Sequence, residues 1–362
     1  MTKYIYECPD FPKFEWDDRV IIDPLIKVAN LQGKVLGKML QFGFGLQQEA
    51  MLNAFTEEIT KSSEIEGEIL NSEQVRSSIA RHLNMDFVSA VSPSHRIEGV
   101  VAVTLDAIHN YNKQLSEERL FGYHAALFPD GYSGFKKIQV ARYRSDDIQV
   151  VSNKNGHYIV HYEAPSPLSV PCLTRAFLSW IDDIGNENPL IKAAIAHLWF
   201  VIIHPFDDGN GRITRVITDM MLARAENTSL RFYSMSAQIG REKKDYYRIL
   251  ELTTARDSLD ITDWLKWFFE CLGRSIENSH LMTANILKKA EFWQKNAALI
   301  KDEKQNRIVN LLLDGFEGNL TSGKAAKICK ISQDTAARLL KDLADKGVLS
   351  VEGRARSTHY IL

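Results

Sequence analysis

The spacing of apolar positions reads as helix over most of the chain. Residues 23–67 repeat apolar side chains every three to four positions, with a break expected near Gly43 and Gly45. Pro24 follows Asp23 and suits a first helical turn. A second helix is expected over residues 72–84, while the opening, with Pro9, Pro12 and Trp16, is irregular. Residues 91–285 read as a larger helical unit, with helices expected at 170–184, 189–203, 210–225, 246–252 and 261–272. One β element interrupts it. The β-rich runs 147–151 and 157–162 flank Ser152-Asn153-Lys154-Asn155-Gly156, and Asn-Gly in a short connection signals a hairpin. Residues 165–171 make a loop. From residue 301 the pattern changes: a helix at 305–313, two short helices at 322–328 and 332–344 joined by a tight turn, then two short strands around Gly353. That order predicts a winged helix-turn-helix. The expected fold class is mainly α. Its parts are an N-terminal helical domain (1–90), a helical core with one hairpin (91–285) and the winged helix (301–362).

Composition narrows this only slightly. A chain of 362 residues with 45% apolar and 25% charged residues is ordinary for a soluble protein of two or three domains. A net charge of −2 is too small to imply bulk attraction to nucleic acid or to a membrane surface, so any nucleic-acid role would need a local patch. The winged region is mildly basic, with 11 Lys/Arg against 8 Asp/Glu. Four scattered cysteines without a C-x-x-C pair argue against a disulfide framework or a thiolate zinc site, so a reducing cytoplasm is expected. Residues 1–14 lack the basic lead and apolar core of a secretory signal. The longest apolar run, 198–203, is too short to cross a bilayer.

The chemistry concentrates in His204-Pro205-Phe206-Asp207-Asp208-Gly209-Asn210-Gly211-Arg212-Ile213-Thr214-Arg215. Gly209 and Gly211 remove side chains, so backbone N–H groups at a helix start can approach an anion. Arg212 and Arg215, three apart, place two guanidinium forks on nearly one face and suit a polyphosphate. Asp208 supplies a hard oxygen ligand for Mg²⁺, with phosphates completing the shell. His204 is placed to take a proton from a hydroxyl, and a nearby helix N-terminus would keep its ring neutral. Singly, each feature has a plainer reading as a buried histidine, a turn or a solvated helix face; the twelve-residue window joins them.

These residues resemble the Fic signature, H-x-F-x-[DE]-G-N-G-R-x-x-R, at every defined position, and the likeness extends over most of 91–285. The resemblance implies a protein adenylyltransferase, which moves AMP from ATP to a Ser, Thr or Tyr hydroxyl of a protein target, with self-modification as a side reaction. It implies that His204 is the general base, that Asp208 holds Mg²⁺, that Gly209, Asn210 and Gly211 form the anion hole, and that Arg212 and Arg215 hold the outer phosphates. The segment Val150, Val151, Ser152 and Asn153 resembles the family's flap, which aligns an extended target segment. Tyr246 and Tyr247 resemble a pair near the adenine site, although Thr254 stands where some relatives carry Asn.

Upstream, Ser62-Ser63-Glu64-Ile65-Glu66-Gly67 resembles the Fic inhibitory motif [ST]-x-x-x-E-[GN]. Ser62 and Glu66 lie one turn apart, and Gly67 is a natural helix terminator. The family precedent sets Glu66 against Arg215. In the winged module Thr335, Arg338, Lys341, Arg354 and Arg356 are candidates to face DNA; dimerisation or target docking is the competing use. The rival functions are a nucleotide-sensing DNA-binding regulator, transfer of another phosphate-containing group, and removal of AMP.

Overall fold

A computed structural model describes residues 4–41, 43–85, 92–154, 157–183, 185, 187–313, 316, 318–353 and 358–362. The chain divides into two compact units, Met1–Ser279 and His280–Leu362.

The first unit carries α1 (Asp18–Met39), α2 (Phe44–Ile65), α3 (Ser72–His82), α4 (His95–His109) and α5 (Glu117–Leu127). Two antiparallel hairpins follow, β1 (Tyr132–Ser133) with β2 (Lys136–Lys137), and β3 (Gln149–Lys154) with β4 (His157–Glu163). Then come α6 (Val170–Ile181), α7 (Pro189–Ile203), α8 (Asn210–Glu226), α9 (Met235–Arg241), α10 (Lys243–Thr254) and α11 (Thr262–Asn296), the last continuing into the second unit. The described residues are mainly helical, as the apolar period predicts. Side-chain oxygens of Asp17, Asn71, Ser94, Ser116, Asn188 and Ser234 accept from first-turn N–H groups and set where their helices begin.

Several boundaries differ from the sequence reading. The Asp17 cap starts α1 before Asp23, so Pro24 lies inside the helix rather than in its first turn. The missing N–H falls one turn beyond Val20, which is exposed, so water can satisfy the freed carbonyl. β3 reaches Lys154, through residues expected as loop, and Asn155-Gly156 lies outside the described residues. The β1–β2 hairpin was not expected, because two-residue strands leave no period to read.

α7 is buried on nearly every face and forms the centre of the unit, with α8 against it. Its Trp199 and Phe200 pack against Phe177 of α6, and Phe11 and Phe14 of the irregular opening close on Trp199. α2 is docked by a buried carboxylate. Glu58 accepts from Ser234 Oγ and Ser236 N at 2.8 and 3.0 Å, and also from Ser236 Oγ. That anchor carries the C-terminal end of α2 to the start of α8.

The second unit holds α12 (Glu303–Leu313), α13 (Ser322–Cys329), α14 (Gln333–Asp345), β5 (Ser350–Glu352) and β6 (His359–Ile361). β5 pairs antiparallel with β6, and Leu320 bridges to Tyr360. Ile308, Leu320, Ala336, Leu340 and Leu343 form its core. Arg338 and Lys341 on α14 are exposed, whereas Thr335 is half-buried and its hydroxyl meets Ser332 Oγ in the helix cap. Arg354 and Arg356 lie outside the described residues.

Candidate functional site

The turn between α7 and α8 is built by its own side chains. His204 ends α7 in the left-handed conformation, φ 49° and ψ 60°. Asn210 closes the loop: its Oδ1 accepts from Phe206 N at 2.9 Å and its Nδ2 donates to Phe206 O at 2.8 Å. The Asn210 side chain therefore shapes the turn instead of facing a ligand. Phe206 is fully buried and stacks on His124 at 4.1 Å. Gly209 begins α8 at φ +81°, and a Cβ there would lie 2.7 Å from the Phe128 ring, so both conformation and space require glycine.

His204 is half-buried and opens onto a cavity of about 720 Å³. Its Nδ1 lies 3.3 Å from Val201 O. A carbonyl only accepts, so Nδ1 carries the proton and Nε2 keeps its lone pair. Burial pushes the ring's pKa down to about 4, and the Arg144 guanidinium adds to that, against the hydrogen bond to Val201 and the charges of Glu66 and Asp208. The imidazole is thus neutral near pH 7. Burial is the main cause, in place of the helix N-terminus expected from sequence.

His124 is held in a similar way. Ala141 N donates to its Nδ1 at 3.1 Å, and its Nε2 donates to Asp208 O at 3.1 Å. Asp208 Oδ1 accepts from Gly209 N at 2.5 Å and Oδ2 accepts from Ser133 Oγ. Asp207 Oδ2 accepts from Gln139 N at 2.9 Å. Among the described residues no group of three or more His, Cys, Asp or Glu could cage a metal ion. The donor set suits Mg²⁺ shared with phosphates, since Asp208 presents a hard carboxylate on the cavity wall.

The α8 start, the β3–β4 hairpin and α10 wall the cavity. Val150 and Val151 line it, with a register shift between them. Ser152 and Asn153 follow in the same strand, and their side chains lie outside the described residues. Tyr246 and Tyr247 both border the cavity but differ in setting. Tyr246 is 3% exposed, and its hydroxyl meets His197 Nε2 at 2.9 Å; Tyr247 is 41% exposed. Thr254 is buried on the same wall, its hydroxyl donating to Leu250 O at 2.8 Å.

Neither arginine lines the cavity; each is held by an acid from the segment after α2, Arg215 by Glu66 as the resemblance implied and Arg212 by Glu68. Arg215 is 3% exposed. Its Nε donates to Ser62 Oγ at 2.8 Å, and its Nη2 to Ser62 O at 2.9 Å and Glu66 Oε1 at 2.7 Å. Burial disfavours its charge, and Glu66 together with Tyr246 and Tyr247 outweighs that, so its pKa is raised. Glu66 caps α2, with Gly67 at φ +82° turning the chain away. A Cβ at Gly211 would overlap Glu66 Oε1. The anion approach that Gly211 leaves open is therefore filled by a carboxylate of the same chain. Arg212 lies over the Phe128 ring and donates from Nη1 to Glu68 Oε2 at 2.9 Å. Glu68 also pairs with Arg96 at 2.6 Å. Sequence reasoning missed Glu68, Arg96, Arg144, His124 and Ser133. Of these only Glu68 carried a signal, as a second acid two positions beyond Glu66.

A helix-start turn thus lies beside an uncharged histidine and a hairpin in a mainly helical fold, and known proteins share parts of this arrangement. Residues 114–222 match the Fic/DOC family, and residues 4–85 match a domain of unknown function, DUF4172. The chain is 28% identical over 126 residues to protein adenylyltransferase Fic of Drosophila erecta, covering 34% of this chain and 24% of that relative. With the protein of the same name from Nematostella vectensis it is 27% identical over 144 residues, 39% of this chain and 29% of the relative. The match thus spans about a quarter of the length of these curated relatives. A Fic family protein from Desulfovibrio desulfuricans G20 superimposes with TM-score 0.55 at 20% identity over 95% of both chains, which shows a shared fold. Residues 114–222 thus carry the likeness to the Fic/DOC family.

Proposed function

We propose that the chain is a protein adenylyltransferase whose resting state is autoinhibited. The observation that carries this is the neutral His204 ring, Nδ1 bound to Val201 O and Nε2 free, beside a cradle at the start of α8. Nε2 takes the proton of a Ser, Thr or Tyr hydroxyl on a protein target as its oxygen attacks the α-phosphorus of ATP. The new P–O bond forms as the α–β bridge bond breaks. AMP stays on the target, pyrophosphate leaves, and the proton rests on His204. The residues otherwise position and stabilise charge, as phosphoryl transfer requires. Backbone N–H groups of Gly209, Asn210 and Gly211 cradle phosphate oxygens, and Arg212 and Arg215 hold the outer phosphates once released. Asp208 would hold Mg²⁺, which supplies charge neutralisation at the phosphates. Val150, Val151, Ser152 and Asn153 align the target by strand addition. Tyr247 faces the base, with Tyr246 packed behind it.

Ser62 and Glu66 form the brake on Arg215, and Glu68 extends it to Arg212. The reading also covers a three-part chain: an inhibitory helical region at 1–90, a catalytic core at 91–285 and a winged helix-turn-helix at 301–362, in a cytoplasmic protein. The decisive experiment is intact mass of the Glu66→Gly protein after incubation with ATP and Mg²⁺. A gain of one AMP is expected. A gain of phosphate selects a kinase, and no gain returns the site to nucleotide sensing. For the C-terminal unit, exposed Arg338 and Lys341 favour DNA binding; an unchanged gel shift for Lys341→Glu would reject that use.

A further inference from the structure

We infer that Arg144 is a positioning residue for His204, fixing the left-handed turn after α7 and the feet of the β3–β4 hairpin in one arrangement. The inference rests on the reading of His204 as proton acceptor.

Arg144 lies between β2 and β3 and is 2% exposed. Its backbone N–H donates to Pro205 O at 3.0 Å. Its guanidinium reaches three more carbonyls: Nε to His204 O at 2.8 Å, Nη1 to Asp146 O at 3.0 Å, and Nη2 to Pro165 O at 2.5 Å. Asp146 precedes β3 and Pro165 follows β4, so one side chain ties both feet of the hairpin to the histidine. Two further contacts close the same corner: Tyr162 Oη donates to Ile202 O at 2.7 Å, and Ala164 N to Ile148 O at 2.9 Å.

The chemistry is unusual for mere packing. Among the described residues this guanidinium touches no carboxylate: carbonyls are its hydrogen-bond acceptors, and the charges of Asp147 and Asp207 act on it only from further off. A buried cation without a carboxylate in contact is costly, and an apolar side chain of similar volume would fill the space more cheaply. The Arg144 donors satisfy the carbonyl of a non-glycine residue held in a sparsely populated backbone region, where strain persists only if the surroundings over-determine it. Three charged groups influence the ring: Arg144 behind the turn, and Glu66 and Asp208 on the cavity wall. Arg144 does not line the cavity and so touches no nucleotide. Its effect would fall on the alignment of the hairpin-bound hydroxyl with Nε2.

The test uses Arg144→Met and Arg144→Lys in the 362-residue Glu66→Gly protein. The first arm is ¹⁵N-histidine NMR of the His204 ring, assigned by its loss in His204→Asn, and needs no ATP. We expect the parent in the single Nδ1–H tautomer, Arg144→Met averaging between tautomers, and Arg144→Lys between the two. Ring signals identical to the parent in both variants would overturn the inference. The second arm follows self-labelling by intact mass against ATP concentration. The maximal rate should fall ~100-fold while half-saturating ATP moves less than about threefold. Weaker ATP binding at an unchanged maximal rate would overturn the positioning role. A parent that never labels refutes the transfer reading, and the NMR arm then decides Arg144 by itself. If Arg144→Met does not melt cooperatively, Arg144→Lys carries both arms.

Discussion

Removing the Glu66 carboxylate gives the sharpest test of whether that residue holds the site shut. Glu66 Oε1 accepts from Arg215 Nη2 at 2.7 Å, and the arginine is almost wholly buried while the acid is 33% exposed. A hydrogen bond between charged groups contributes ~1.5–3 kcal/mol, and the exposure of Glu66 lowers that to about 1–2 kcal/mol. A brake that competes with the nucleotide weakens apparent affinity by the fraction of chains in which it is closed. At 1.4 kcal/mol per factor of ten, Glu66→Gly should tighten ATP binding ~5- to 30-fold. The Ser62 contacts keep Arg215 placed after the change. Calorimetry with ATP and Mg²⁺ in a His204→Asn background measures this without turnover. Glu68 holds Arg212 through a separate bond at 2.9 Å, so Glu68→Gln added to Glu66→Gly should give a further gain. Affinity unchanged within about twofold in both the single and the double variant would refute the competition argument.

Three other outcomes are expected. Gly211→Ala should destabilise the resting protein, because the new methyl overlaps the Glu66 carboxylate, and should cost less when Glu66 is already Gly; a denaturation double-mutant cycle should show coupling of ~1–3 kcal/mol. His204→Asn, whose side chain tolerates the left-handed conformation, should lower transfer by ~10²- to 10⁴-fold and leave the melting temperature nearly unchanged; labelling at the parent rate would remove His204 from the chemistry. The third concerns acid stability. Burial lowers the folded pKa of His124 and His204 to about 4 and of His197 to about 3, against 6.5 for an exposed ring. Between those values the unfolded chain binds more protons, so the stabilising effect is complete above pH 6.5 and is lost as pH falls towards 4. Urea midpoints should therefore drop through that window, and a flat profile would mean that these rings protonate within the fold.

The order of the long helices and the glycine-flanked turn at the start of α8 were legible along the chain, because both depend on short-range pattern. Apolar spacing marks α7, and Gly209 and Gly211 mark a backbone that must bend and be approached. Glu66 and Gly67 could be read as a helix end one turn past Ser62. The limits of α1 and α11 were harder to read, since a cap at Asp17 and packing far from Leu272 decide them. What tertiary structure alone decided is which groups meet. Asn210 turns inward to Phe206, Tyr246 packs against His197, Arg212 is held by Glu68 from 144 positions away, and Arg144 reaches forward 60 positions to the His204 carbonyl. Sequence spacing carries local geometry because the peptide unit repeats. Partners distant along the chain are chosen by the burial of polar and charged groups that must be satisfied, and that is settled only once the helices have packed.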